Sequence, residues 1–162
     1  MTADAGREQI IRVEHALRAL GFEPRMLVND ESTHTAVEAA RAAGCELGQI
    51  VKTLVVEVAG NPMLVLVAGD RKLDDRLLAS RFGVGRKQVK LASADRVLEL
   101  TGYPVGGVSP FGMPAPMPVL VDAAFNRFEL LWLAGGTASA IFPMPVSDVL
   151  RFTNAELAEV ST

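Results

Sequence analysis

Two apolar stretches, Val51–Val58 and Met63–Ala68, flank Gly60-Asn61-Pro62. Runs rich in valine and leucine at this length suit buried strands, and Gly-Asn-Pro between them predicts a reversal, so the pair reads as a β-hairpin. One residue fits poorly. Lys52 stands at the entrance of the first strand, and burying an ammonium is costly unless a partner compensates. A lysine here points to something anionic or strongly polar nearby. The bland alternative is a side chain that snorkels to solvent or pairs with a carboxylate.

The remaining pattern places helices and strands around this hairpin. Ile10, Val13, Leu17 and Leu20 recur at helical spacing ahead of Gly21, predicting a helix over about 7–20. Phe22–Val28 reads as a short strand and Asn29-Asp30-Glu31-Ser32 as a turn. Thr35-Ala36-Val37-Glu38 has the form of a capping box, opening an Ala-rich helix that Gly44 ends. Leu73, Leu77 and Leu78 mark a helix over Asp74–Phe82, stopped by Gly83. Val89–Leu91 is a strand, and Ser93 caps a helix running through Leu100, closed by Gly102. Pro104–Pro118 holds five of the nine prolines and is loop. Val119–Asp122, Phe128–Leu133 and Ala140–Phe142 are strands. Ser147–Leu150 and a second capping box, Thr153–Glu156, predict terminal helices. Hairpins mixed with crossovers imply an α+β (mixed α/β) fold. The 162 residues, 49% hydrophobic, suit a single domain over 1–162 with its core at about 7–157.

Composition narrows the function classes. No apolar segment reaches the ~18–20 residues of a membrane span, and the N-terminus lacks the pattern of a secretion signal. The lone cysteine, Cys45, permits no internal disulfide and suits a reducing cytoplasm, so a cytoplasmic protein with no membrane partner is expected. A net charge of −3 argues against a general nucleic-acid coat. Residues 71–96, however, carry eight cations against three anions. That segment is either a solvated helix face or a patch for a few phosphates at the end of an RNA.

Chemistry-bearing residues are few. With His15, His34 and one cysteine, no ligand pair has useful spacing, so no metal is expected. Cys45 has no neighbouring base and reads as a packed thiol. Gly48-Gln49-Ile50-Val51-Lys52 is no phosphate-binding loop of the Walker type, because its lysine follows apolar residues. What remains is Lys52 together with the amide-rich stretch Gly102–Gly112, a combination suited to a carbonyl or a phosphate.

These residues, taken together, resemble the YbaK/ProX family. The resemblance runs through Thr33 and Thr35–Ala40, Gly48–Leu54 and Ala68-Gly69-Asp70. It continues through Leu100–Tyr103, Gly106–Gly112, Val121-Asp122 and Ala134-Gly135-Gly136, nearly the whole chain. Its most specific parts are the lysine motif and the Gly-x-x-x-Pro motif, Gly106 to Pro110. Members are free-standing relatives of the editing domain of bacterial prolyl-tRNA synthetases. The resemblance implies a central, largely antiparallel mixed sheet flanked by helices, no cofactor, and hydrolysis of the ester joining a wrong amino acid to tRNA(Pro). It makes Lys52 the essential lysine, with Gly106 and Gly107 in the catalytic loop. Substrate contacts are expected from Thr33, His34, Val108, Ser109, Pro110, Asp122, Gly135 and Gly136. His34 alone would otherwise pass for an N-terminal turn residue, and the part played by Asp122 stays open. Arg71, Lys72, Arg86 and Lys87 are the expected tRNA contacts, with the acceptor end of mischarged tRNA(Pro) and prolyl-tRNA synthetase as partners.

Ester hydrolysis develops negative charge on the carbonyl oxygen, which loop amides could meet as an oxyanion hole. Lys52 would anchor a phosphate or the aminoacyl group, and a water oriented by the ribose hydroxyl would attack. Alanine, cysteine and 2-aminobutyrate are the expected amino acids, with Phe22, Met26 and Val37 shaping their pocket. Two other readings are a non-catalytic binder of tRNA ends or nucleotides, and a general small-ester hydrolase.

Overall fold

The structure, a computed structural model, describes residues 3–29 and 35–162. Its elements are α1 (Ala3–Ala19), β1 (Leu27–Val28), α2 (Ala36–Ala43), β2 (Val51–Val58), β3 (Asn61–Ala68) and α3 (Asp75–Phe82). There follow β4 (Val89–Leu91), α4 (Ala94–Thr101), β5 (Val119–Asp122), β6 (Leu130–Ala134), β7 (Ala140–Pro145), α5 (Val146–Thr153) and β8 (Glu156–Ala158). The fold is mixed α+β.

The expected hairpin lies at its centre. β2 and β3 pair antiparallel from Val51↔Ala68 to Val58↔Asn61, closed by Ala59 and Gly60 with positive φ (50° and 83°), as a two-residue type I′ turn requires. A five-stranded sheet of order β4-β2-β3-β5-β8 grows around it, antiparallel on the β4 side and parallel through β5 and β8. A second, antiparallel sheet has the order β1-β7-β6. One parallel bridge, Ile50↔Trp132, joins the two sheets. The central sheet is thus mixed, because β5 and β8 reach it by crossovers.

β3 is buried on both faces. Leu64 and Leu66 enter a core with Val13 and Leu17 of α1 and with Phe125, Leu131, Phe142 and Met144. Val65 and Val67 enter another with Leu78 of α3 and Val160. The helix caps follow their sequence signals. Thr35 Oγ1 accepts from the Glu38 amide (3.1 Å), Asp74 caps α3, and Ser93 Oγ accepts from the Arg96 amide (3.2 Å). Gly44, Gly83 and Gly102 close their helices in left-handed conformation.

Two expectations are corrected. Phe22–Val28 forms a strand only at Leu27 and Val28, where it meets β7, because Phe22 turns edge-on to Phe152 instead (6.1 Å between centroids). The second capping box opens no helix. Asn154 ends α5 at φ 54°, and Glu156–Ala158 pair with β5 as β8, so sheet pairing overrides the local cap signal. No helix among the described residues is long and apolar enough to cross a membrane.

Candidate active site

The site begins with a gap in the sheet. β4 pairs with β2 only over Val56–Val58, and β6 touches the chain ahead of β2 only at Ile50. Among the described residues, no strand covers the second edge of β2 between those points. The gap is a cavity of about 200 Å³. Its walls include Val51–Leu54 of β2, Ala36 and Ala39 of α2, Trp132 of β6, and Val105, Gly106 and Val108 of the loop following α4. Lys52 and the glycine loop, 54 residues apart in sequence, therefore line one cavity.

Lys52 pairs with Val67 and so stands beside the turn that leaves β3. Its ammonium donates to the Arg71 carbonyl in that turn. Burial pulls its pKa below the usual lysine value; Asp70 and Asp122 oppose this, and Lys72 adds to it. Asp70 is held by Arg127 through paired bonds of 2.8 and 2.9 Å, which keep its carboxyl below the ordinary range. Asp122, 1% exposed, spends both oxygens on main-chain amides, Ala68 (3.1 Å) and Ala124 (3.0 Å). It fixes the end of β3 and sets a negative field near Lys52.

The glycine loop is held close by its neighbours. A Cβ on Gly107 would stand 2.7 Å from Thr137 Cα and 2.9 Å from Gly136 C, so only glycine lets the two main chains meet. The Gly107 amide donates to the Pro104 carbonyl (2.9 Å). Ser109 is fully buried, its Oγ accepting from the Phe111 amide (3.2 Å), and Pro110 is half-buried beside it. Gly136 has φ 102° and lies against the α1 main chain at Gln9, while Gly135 lies against Met26. The late glycine pair thus supports the loop from behind. Tyr103 locks the loop's far side: fully buried, its hydroxyl donates to the Phe111 carbonyl at 2.5 Å.

The basic segment does not form one patch. Arg71 and Lys72 lie beside Lys52, but the Arg71 guanidinium is given to Ser161 Oγ (2.7 Å) and the Ser161 carbonyl (3.0 Å). Arg86 and Lys87 precede Val89, which pairs with Val58 at the other end of β2, and Arg86 is bound to Asp75 (2.9 Å). Thr33 and His34 lie outside the described residues. Val37 is 53% exposed, and it, Phe22 and Met26 are not among the residues lining the cavity described above. Walls that were not among the expected site residues include Ala36, Ala39, Ile50, Trp132 and Ile141, together with Thr53. Only Thr53 left a sequence signal, as a hydroxyl in a valine-rich strand. Cys45 is half-buried, its thiol pKa raised by burial. Among the described residues no three His, Cys, Asp or Glu side chains gather as metal ligands.

A lysine and a main-chain loop thus line one small cavity on this mixed α+β scaffold. The profile of the aminoacyl-tRNA editing domain matches residues 30–152, and the chain belongs to that family. It is by class an aminoacyl-tRNA deacylase. A crystal structure described as a candidate trans-editing enzyme for prolyl-tRNA synthetase is 35% identical, with TM-score 0.89 over 95% of this chain and 97% of that one. The candidate Cys-tRNA(Pro)/Cys-tRNA(Cys) deacylase EbsC of Enterococcus faecalis is 29% identical over 79% of this chain and 77% of its own length. Proline–tRNA ligase of Maridesulfovibrio salexigens is 39% identical over 63% of this chain, a match spanning 17% of the ligase.

Proposed function

We propose that this chain, acting as one editing unit over 1–162, removes small wrongly attached amino acids from tRNA(Pro) in trans. The observation that carries the reading is the shared cavity of Lys52, Gly106 and Val108 at the uncovered edge of β2. The names of the relatives support tRNA(Pro) as the carrier and prolyl-tRNA synthetase as a working partner, and a single cysteine suits a reducing cytoplasm.

The acceptor end would enter with its ester carbonyl toward the loop. Gly107 has already committed its amide, so the developing oxyanion falls to the flanking amides of Gly106 and Val108. Lys52, on its flexible stem, exchanges the Arg71 carbonyl for the substrate and adds positive potential. Among the described residues no carboxylate, histidine or cysteine lines the cavity, and the nucleophile in this reading is a water oriented by the ribose hydroxyl. The alkoxide leaves as the free 3′ end of the tRNA and the acid as the free amino acid. Alanine-lined walls leave room for alanine, cysteine or 2-aminobutyrate. A synthetase pocket discriminates a methylene by only ~1–3 kcal/mol, which is why a second, smaller site is needed.

The test is a deacylation panel of Ala-, Cys-, Ser-, 2-aminobutyryl- and Pro-tRNA(Pro). Release of one or more small residues, with Pro-tRNA(Pro) spared, is expected. Retardation of the RNA without release would identify a binder and overturn the reading. Lys52→Ala should lower the rate roughly a hundredfold or more; a purified variant at the wild-type rate would remove lysine from the mechanism.

A further inference from the structure

Thr53 is the residue of the cavity wall whose chemistry the reaction has not yet used. Its Oγ1 is buried and has no hydrogen-bond partner among the described residues. A buried hydroxyl left unpaired costs ~1–3 kcal/mol, so native structures keep one only where a water or ligand completes it. The side chain lines the cavity between β2 and the glycine loop. A turn of one staggered well about χ1 carries its hydroxyl into the place the methyl held.

The main chain at the same residue is also unspent. The hairpin closes at Val58↔Asn61, and the Val55 carbonyl accepts from the Ala92 amide on the opposite edge (3.0 Å). By the two-residue period of a strand, Thr53 turns its amide and carbonyl to the Val55 side. Among the described residues no strand lies there.

An aminoacyl ester brings one group that the proposed reaction leaves unrecognised, its α-amino group, which needs hydrogen-bond acceptors. Among the described lining residues, the side chains with an oxygen or a charge are Thr35, Lys52 and Thr53, and the Trp132 indole can only donate. Thr35 accepts from the Glu38 amide and donates to the Glu38 carboxylate, and Lys52 is a cation. Among the described lining side chains, only Thr53 offers an uncommitted acceptor. Resting on the editing function above, we propose that Thr53 is a positioning residue, its hydroxyl and main-chain carbonyl receiving the α-amino group of the substrate. This would orient the ester carbonyl toward the Gly106 and Val108 amides.

The experiment compares Thr53→Val and Thr53→Ser with wild type on Ala-tRNA(Pro) and on propionyl-tRNA(Pro), which keeps the carbon skeleton but lacks the amino group. Thr53→Val should lose about tenfold in kcat/KM on Ala-tRNA(Pro), about 1.4 kcal/mol, and be unchanged on propionyl-tRNA(Pro). Thr53→Ser should stay within about twofold of wild type on both. Because valine removes an unpaired hydroxyl, the melting temperature of Thr53→Val should hold or rise. Equal losses on both substrates would reduce Thr53 to wall packing, and no loss on Ala-tRNA(Pro) would remove it from the site; either overturns the proposal. Wild type hydrolysing Ala-tRNA(Pro) at the uncatalysed rate would instead reject the functional reading, and the proposal with it.

Discussion

Lys52 is held in a place that disfavours its charge, and that conflict is measurable. Its pKa is lowered first by burial, so between the folded value and the ordinary lysine value the unfolded chain binds more protons. Stability then rises with pH across that window. Lys52→Met removes both the buried charge and the rise, so its stability near neutral pH should equal or exceed wild type while deacylation is lost. Denaturant melts at several pH values check this, and a destabilised Lys52→Met would show that the lysine supports the fold. Tyr103 works in the opposite sense. Burial pushes its pKa up to about 12 from 10.0. The unfolded chain therefore ionises first, and stability falls as pH rises from about 10 to about 12. Tyr103→Phe should flatten that fall, and at neutral pH cost ~1–3 kcal/mol by orphaning the Phe111 carbonyl.

Among the elements, the loop and its support behave as one piece. Gly107→Ala puts a methyl into the Gly136–Thr137 main chain, where backbone cannot yield as a side chain would. We expect a loss of ~1–3 kcal/mol in stability and a larger fractional loss of deacylation, since Gly106 and Val108 move with it. Activity that survives in full would show that the loop amides are not aligned for catalysis. Much of this scale was legible in the chain. Thr35, Ser93 and the glycines at 44, 83 and 102 act locally, so the ends of α2, α3 and α4 could be read nearly to the residue. The hairpin could be read from its apolar runs, but its turn falls on Ala59 and Gly60, and Asn61 and Pro62, expected in the turn, begin β3. Thr153–Glu156 carried a local signal that tertiary pairing overruled, since β5 offered an edge to β8. The 3-10 turn Ala123–Arg127 gave no periodic signal at all; Asp122 nucleates it with a single side-chain bond.

At the scale of the whole molecule, the site is a product of strand order, and strand order is what a single sequence states least. Lys52 and Gly106–Pro110 stood out by type and by family likeness. The uncovered edge of β2, and with it Thr53, exists only because β4 is three residues long and β6 turns away after Ile50. The same geometry divides the basic segment. Lys52 and Val58 are six residues apart on β2, about 20 Å at ~3.3 Å per residue, which carries Arg86 and Lys87 to the far end of the sheet. Arg71 and Arg86 are engaged, while Lys72 is exposed next to the site. Lys72→Glu should therefore weaken tRNA binding and lower the slope of log K against log salt by about 1 or more, because a phosphate contact releases roughly one counterion. Lys87→Glu should leave deacylation of Ala-tRNA(Pro) unchanged at saturating substrate, with an effect on binding only if the RNA lies along the full length of the sheet. Filter binding over a salt series reads both. Equal slopes for Lys72→Glu and wild type would place the acceptor stem on another face of the protein.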